Sequence, residues 1–231
     1  MNELPINWVS TLLGEVCLVV RGITFPSSAK QEKPSSTNVC CLRTTNIQKE
    51  IDWQDIYFVS KDFVKRDEQF VKIGDILMSM ANSYELVGKV SVVRELPYIT
   101  SFGAFLSALR PFSLIDQQYL FHVIRTSKVQ NEVRKGSSQT VNIANISLKS
   151  LSEIEVPLAP LNEQKRIAEK LDTLLTRVDA CREHVDRVPE ILKRFRQAVL
   201  AAAVSGKLTE DWRKNRRVSL DSWSTIFVGD R

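Results

Sequence analysis

Histidine is nearly missing from this sequence, with two residues in 231, and cysteine contributes only four. Cys40 and Cys41 are adjacent, Cys17 stands alone and Cys181 falls in a helical pattern, so no disulfide framework or Cys-x-x-Cys metal knuckle can be laid out. With only His122 and His184 besides, a zinc site has almost no ligands to draw on. Glycine and proline, eight of each, are too sparse for a collagen-like or low-complexity chain. No run approaches the roughly 18 consecutive apolar residues of a membrane span. The start, Met1-Asn2-Glu3-Leu4-Pro5, lacks the basic-then-apolar order of a signal peptide. The expectation is a soluble cytoplasmic protein without metal, disulfide or membrane.

What is present supports a substantial core. Apolar residues make up 43% and charged residues 26%, and the length suits one or two domains. The charge is uneven. Residues 1–158 carry 17 Lys and Arg against 16 Asp and Glu, whereas 159–217 carry 14 against 9 and 218–231 carry 1 against 2. This balance permits phosphate contacts without demonstrating them for the first segment.

The first 158 residues read as an irregular α+β domain. Strands are predicted at Val39–Thr44, Ile76–Met80, Gly88–Val93 and Phe105–Leu109, where β-branched or apolar runs meet Gly or Pro punctuation. Asp116 can cap a helix through Tyr119, Leu120 and Val123, and a second helix, Ser127–Lys135, stops at Gly136. Regular βαβ alternation is absent, which argues against a doubly wound sheet. Gly22–Asn38 and Ala81–Val87 read as long surface loops, the usual place for function. His122, beside Phe121 and Ile124, is expected to be a satisfied core histidine.

After Pro157 and Pro160 the pattern changes. From Asn162, a potential N-cap, to Gly206, a potential stop, there is no glycine and one proline. Apolar residues recur in alternating steps of four and three: Ile167, Leu171, Leu174, Val178, Cys181, then Val185, Val188, Leu192, Phe195 and Val199. That is a coiled-coil seam, too long to be covered by its own small domain, and it calls for a helix partner. Pro189 interrupts the hydrogen-bond ladder. The seam keeps its phase across Pro189 and no turn residue is nearby, which favours one kinked helix; a split into a hairpin is the alternative. Residues 207–231 begin with a basic linker, Arg213-Lys214-Asn215-Arg216-Arg217. A weak repeat follows, since Trp8 precedes Gly14-Glu15 by six residues and Trp223 precedes Gly229-Asp230 by six. A second globular unit starting at Trp223 would fit a longer parent chain.

Several stretches together resemble one family. They are Leu4-Pro5 with Trp8 and Leu13-Gly14-Glu15, Gly74-Asp75-Ile76-Leu77, Gly88-Lys89-Val90 and Gly136-Ser137-Ser138-Gln139-Thr140-Val141-Asn142-Ile143. Leu148, Ile154 and Val156-Pro157-Leu158-Ala159 then lead into Pro160-Leu161-Asn162-Glu163-Gln164, the most specific part, and Ala198 to Leu208 fits the close of the helix. The chain is similar to the N-terminal half of type I restriction-modification specificity subunits, with one target-recognition domain (1–158) and one conserved long helix for spacing or dimerisation (159–206). The resemblance implies a non-catalytic adaptor that binds double-stranded DNA. Its partners would be methyltransferase subunits, which modify adenine with S-adenosylmethionine, and restriction/translocase subunits, which use ATP; the chain itself would take no cofactor. Full members carry two recognition domains and two helices, so a one-domain form could pair with itself into a homodimer through the seam and read a symmetric site.

The residues agree with a non-catalytic part. No Asn/Asp-Pro-Pro-aromatic tetrapeptide, Gly-x-Gly turn or GxxxxGK[ST] loop occurs, and no two-carboxylate-plus-lysine core is evident. If the first segment reads DNA, its loops should supply the contacts. The first loop offers Arg21, Thr24, Lys30 and Lys33, with Arg43, Thr44 and Asn46 beyond it. The second offers Asn82, Ser83, Tyr84 and Lys89, and the turn after the second helix offers Lys135, Ser137, Ser138 and Gln139. The competing reading is a coiled-coil assembly module whose globular head binds a protein and no DNA.

Overall fold

A computed structural model describes residues 4–140 and 143–217. The chain divides into two compact units whose boundary falls between Asp172 and Thr173, inside the long helix and beyond the expected boundary at 158. The first unit is the mixed α+β domain that the sequence implies.

Its centre is a four-stranded antiparallel sheet in the order β2 (Cys17–Arg21), β9 (Leu106–Pro111), β5 (Ile76–Ser79), β7 (Val90–Val92). Against one face packs a three-stranded sheet in which β3 (Asn38–Leu42) pairs antiparallel with β4 (Tyr57–Ser60) and parallel with β8 (Thr100–Phe102). Alternation along each strand builds the layers. On β5, Leu77 meets Phe102, Leu42 and Cys40 between the two sheets, while Ile76 and Met78 turn to the other face. That face is covered by α2 (Gln117–Ile124) and α3 (Ser127–Lys135), through Tyr119, Leu120, Ile124, Val129 and Val133. Both helices have the expected ends: the Asp116 carboxylate accepts Tyr119 N–H at 3.0 Å, and α3 closes at Gly136. The sequence missed strands whose partners are distant, such as β1 (Val9–Leu12), which follows no local pattern and pairs with β12 (Glu155–Leu158).

Cys40 and Cys41 point to opposite faces of β3, one into each hydrophobic layer. Burial pushes their thiols up to about 11 and about 12, and that of Cys17 up to about 12. The folded state therefore holds three protons that the unfolded chain releases near the ordinary value of 9.0. Their contribution to stability is complete below about pH 9 and is lost as pH rises from there toward about 12. Unfolding free energies from urea titration should fall steadily above pH 9, by up to about 1.4 kcal/mol per thiol per pH unit, and a flat profile to pH 11 would contradict the burial. At pH 8, and dilute enough to be monomeric, the chain should react with a thiol reagent only at Cys181, the exposed cysteine.

The long helix, α5, runs unbroken from Leu161 to Val204 with Pro189 inside it, so the hairpin alternative is not adopted. Val185, whose carbonyl loses its donor at Pro189, is 66% exposed, and water can meet the cost. Asn162 lies in the first turn rather than capping it, because the Pro160 carbonyl accepts both Glu163 and Gln164 N–H. Gln164 is the anchor of this end. Fully buried, its side-chain oxygen accepts Asp116 N–H at 2.7 Å and its amide donates to Leu114 O at 3.2 Å and Ala159 O at 2.7 Å. His122 is satisfied in the core as expected. Its Nε2 lies 2.8 Å from Oδ1 of Asp172 on α5.

In the second unit α5 ends at Gly206, whose φ of +70° is the left-handed stop that glycine supplies. The basic run beyond it is a short helix, α6 (Glu210–Arg216), with Arg213 donating to Thr209 Oγ1 at 2.5 Å. Residues 218–231, which hold the Trp223 repeat, lie outside the described residues.

Candidate nucleic-acid interface

Three loops converge at one end of the two sheets. Gly22 makes this possible: a Cβ there would stand 2.2 Å from Gly103 O and 2.3 Å from Phe102 O. The close approach lets Ile23 N–H donate to Phe102 O at 2.7 Å, while Gly103 N–H reaches Leu42 O at 2.9 Å. The loop after β2, the turn after β3 and the turn before β9 then enclose a cavity of about 410 Å³. Thr24, Lys30, Arg43 and Thr44, all expected DNA contacts, line it. At its base the Tyr57 ring carries two cations, Lys30 Nζ and Arg43 Cζ, each 5.1 Å from the ring centroid. Arg43 is also held by Asp55, with Nη2 donating to the carboxylate at 2.5 Å and to the Asp55 carbonyl at 2.9 Å. Burial raises the Tyr57 hydroxyl well above its ordinary value, so it stays a neutral donor.

A second group adjoins this cavity through the backbone. Met80 N–H donates to Phe105 O at 2.8 Å, and Ile146 N–H donates to Met80 O at 3.0 Å. These bonds set β6 (Ala81–Asn82) beside the hairpin of β10 (Ser137–Thr140) and β11 (Ile143–Ile146). Asn82 and Ser83 stand on β6 and the turn after it, and Tyr84 is 47% exposed. Ser137 and Ser138 hydroxyls donate to Arg134 O and Asn145 O, and Lys135 pairs with Glu132 at 2.8 Å. Gln139 is placed by its backbone on β10. Lys89 Nζ donates to Gln48 Oε1 at 2.6 Å, and Gln48 in turn donates to Thr45 O at 2.8 Å, which ties this group to the cavity's other wall.

Three expected contacts stand apart. Asn46 is fully buried: its side-chain oxygen accepts Arg43 N–H and its amide donates to Asp52 O and Asp55 O. It shapes the turn that carries Arg43 and Thr44, and it has no surface for a base. Arg21 and Lys33 are exposed but do not line the cavity. Two lining residues, Tyr57 and Phe105, are not among the contacts expected from the sequence. Phe105, expected as the first residue of a strand, instead sits on the turn before β9 and is 67% exposed. Among the described residues, no three His, Cys, Asp or Glu side chains gather as a metal would require.

The expected helix seam is bare over most of its length. Leu174, Val178, Cys181, Val185, Val188, Leu192, Phe195 and Val199 are all exposed. Ile167 differs, because it packs on the core of the first unit, and Leu171 is half-buried. Leu175, Ile191 and Leu200 add exposed apolar surface off the seam. No helix among the described residues is long and apolar enough to cross a membrane.

Comparison with known proteins places these features. The family described as type I restriction modification DNA specificity domain matches residues 5–184. The type I restriction enzyme EcoKI specificity subunit of Escherichia coli K12 is 41% identical over 214 residues, covering 92% of this chain and 46% of its own. The StySPI specificity subunit of Salmonella potsdam is 39% identical over 230 residues, covering 99% and 49%. The chain thus spans about half the length of the curated relatives it matches. Among solved structures, one from work on complex assembly and conformational transition of the type I R-M system aligns with a TM-score of 0.67 at 25% identity, over 87% of this chain and 46% of the other. The HsdS subunit from Thermoanaerobacter tengcongensis shares the fold with a TM-score of 0.64 at 24% identity, over 87% and 45%.

Proposed function

The chain belongs to the type I restriction-modification DNA specificity family, and we propose that it reads one half of a split double-stranded DNA target as a non-catalytic part of a cytoplasmic complex. Methyltransferase subunits using S-adenosylmethionine would modify adenine at that target, and restriction/translocase subunits using ATP would cut unmodified DNA. The first unit supplies the reading face and α5 supplies the spacer, its seam covered by a second copy of the helix.

One observation carries this reading: three separate loops, held by two packed sheets, bring cations and hydrogen-bonding side chains together around the Tyr57 cavity. Loop tips on a rigid scaffold are how base edges are addressed, and the cations hold the phosphates on either side. Co-expression with the cognate methyltransferase, followed by mapping of methylated adenines, tests it. A split symmetric motif supports self-pairing of this chain, unlike halves require a second recognition domain, and no methylation counts against the reading.

Salt dependence gives a separate check. With Lys30, Arg43, Lys89 and Lys135 on phosphates, log affinity for duplex DNA should fall against log salt with a slope of about −4. Lys89→Ala should flatten the slope by about one. A head that binds protein rather than DNA would give no anisotropy change at any salt.

A further inference from the structure

Phe105 is an apolar side chain in a cationic setting. It is 67% exposed, yet it lines the same cavity as Lys30 and Arg43. Its exposure does not come from a slack loop. The Phe105 carbonyl accepts Met80 N–H at 2.8 Å, Leu106 N–H donates to Gly103 O at 2.8 Å, and Gly103 N–H donates to Leu42 O at 2.9 Å. The ring is therefore presented from a fixed backbone. The same cavity is lined by Thr44 and Thr45, each with a methyl group, and by Ile23 and Leu106.

This combination narrows what the cavity can take. Asp55 offsets the charge of Arg43, which leaves Lys30 as the net positive charge at the cavity, a setting that favours an anionic ligand over an apolar peptide. In the major groove every base-pair edge presents donors and acceptors, and one apolar group stands among them, the C5 methyl of thymine. We propose that the Phe105 cavity receives a thymine C5 methyl, so that a T·A pair at one fixed position of the half-site is read by apolar contact. Phe105 and the threonine methyls enclose the methyl group while Lys30 and Arg43 hold the flanking phosphates. This specificity rests on the DNA-reading function proposed above.

The test selects duplexes from a random-sequence pool with the intact chain. The enriched duplex is then resynthesised with deoxyuridine replacing each thymidine in turn. Uracil pairs as thymine does and lacks only the methyl. At one position the replacement should weaken binding about fourfold, the effect of removing one buried methyl-sized group. Phe105→Ala should lose a similar factor on the thymine duplex and bind the uracil duplex no more weakly, while Phe105→Leu should keep part of the discrimination. Since the side chain is exposed, both variants should melt with the parent. An enriched half-site without T·A, uracil equal to thymine at every position, or undiminished discrimination by Phe105→Ala would each overturn the methyl contact and leave DNA reading intact. Failure to enrich any sequence would overturn the DNA-reading function and this contact with it.

Discussion

Replacing Asp75 with alanine should destabilise the first unit by about 3–5 kcal/mol, a large share of the stability of a typical domain. Asp75 is 1% exposed and its carboxylate is fully engaged. Oδ1 accepts Arg110 Nε–H and Oδ2 accepts Arg110 Nη2–H, each at 2.7 Å, and Oδ2 also takes Lys72 N–H at 2.9 Å. The same guanidinium reaches the carbonyls of Glu68 and Phe70, so one pair joins the start of β5, the end of β9 and the segment before them. Alanine strands a partly buried cation and an N–H donor together, which costs far more than the pair itself is worth. Asp75→Asn keeps an acceptor and should lose less. Urea titration of both variants decides the matter: a loss below about 1 kcal/mol for Asp75→Ala would mean that water replaces the carboxylate at little cost.

Leu174→Asp should weaken self-association of the chain about a thousandfold. In a seam closed by a second copy, each dimer would lose two buried leucines and bury two unpaired carboxylates, together about 4 kcal/mol or more. Leu174 lies beyond the first unit and is 44% exposed, so the near-ultraviolet circular dichroism of the domain should not change. Sedimentation velocity distinguishes the outcomes. A variant that remains dimeric at the parent's concentration would place the interface elsewhere.

How much of this was legible depends on the range of the interaction. The helix was plain in the sequence because its seam is a local period, and α2 and α3 because their caps are local too. The strands β3 and β5 showed as continuous apolar runs, since both of their faces are buried between layers. Ser137–Thr140 gave no such signal, being polar and held by pairing with β11. At the site, Lys30, Arg43 and Thr44, expected as DNA contacts on separate loops, line one cavity, a proximity that no local pattern in the sequence encodes. Asn46 was misjudged because an asparagine at a turn can serve the backbone or a ligand, and composition does not say which. Phe105 shows the converse: an aromatic residue opening an apolar run reads as the first residue of a buried strand, and only its distant neighbours place it on the exposed turn before β9.

The bare stretch of α5 bears on how this protein comes to be folded. Between Thr173 and Val204 no side chain is buried, although ten or so apolar residues lie there. Helix propensity alone sustains such a length only marginally in water, and ion pairs such as Arg194 with Glu190 add a few tenths of a kcal/mol each. The missing part of the driving force would come from a helix laid on the seam, as in the self-pairing proposed above. With a second copy as that cover, folding of this segment would be a bimolecular event governed by mass action, and the amount of helix would depend on how much of the protein is present. Helix content of a self-pairing chain should therefore rise with its concentration, while the first unit, which has its own core, stays folded throughout.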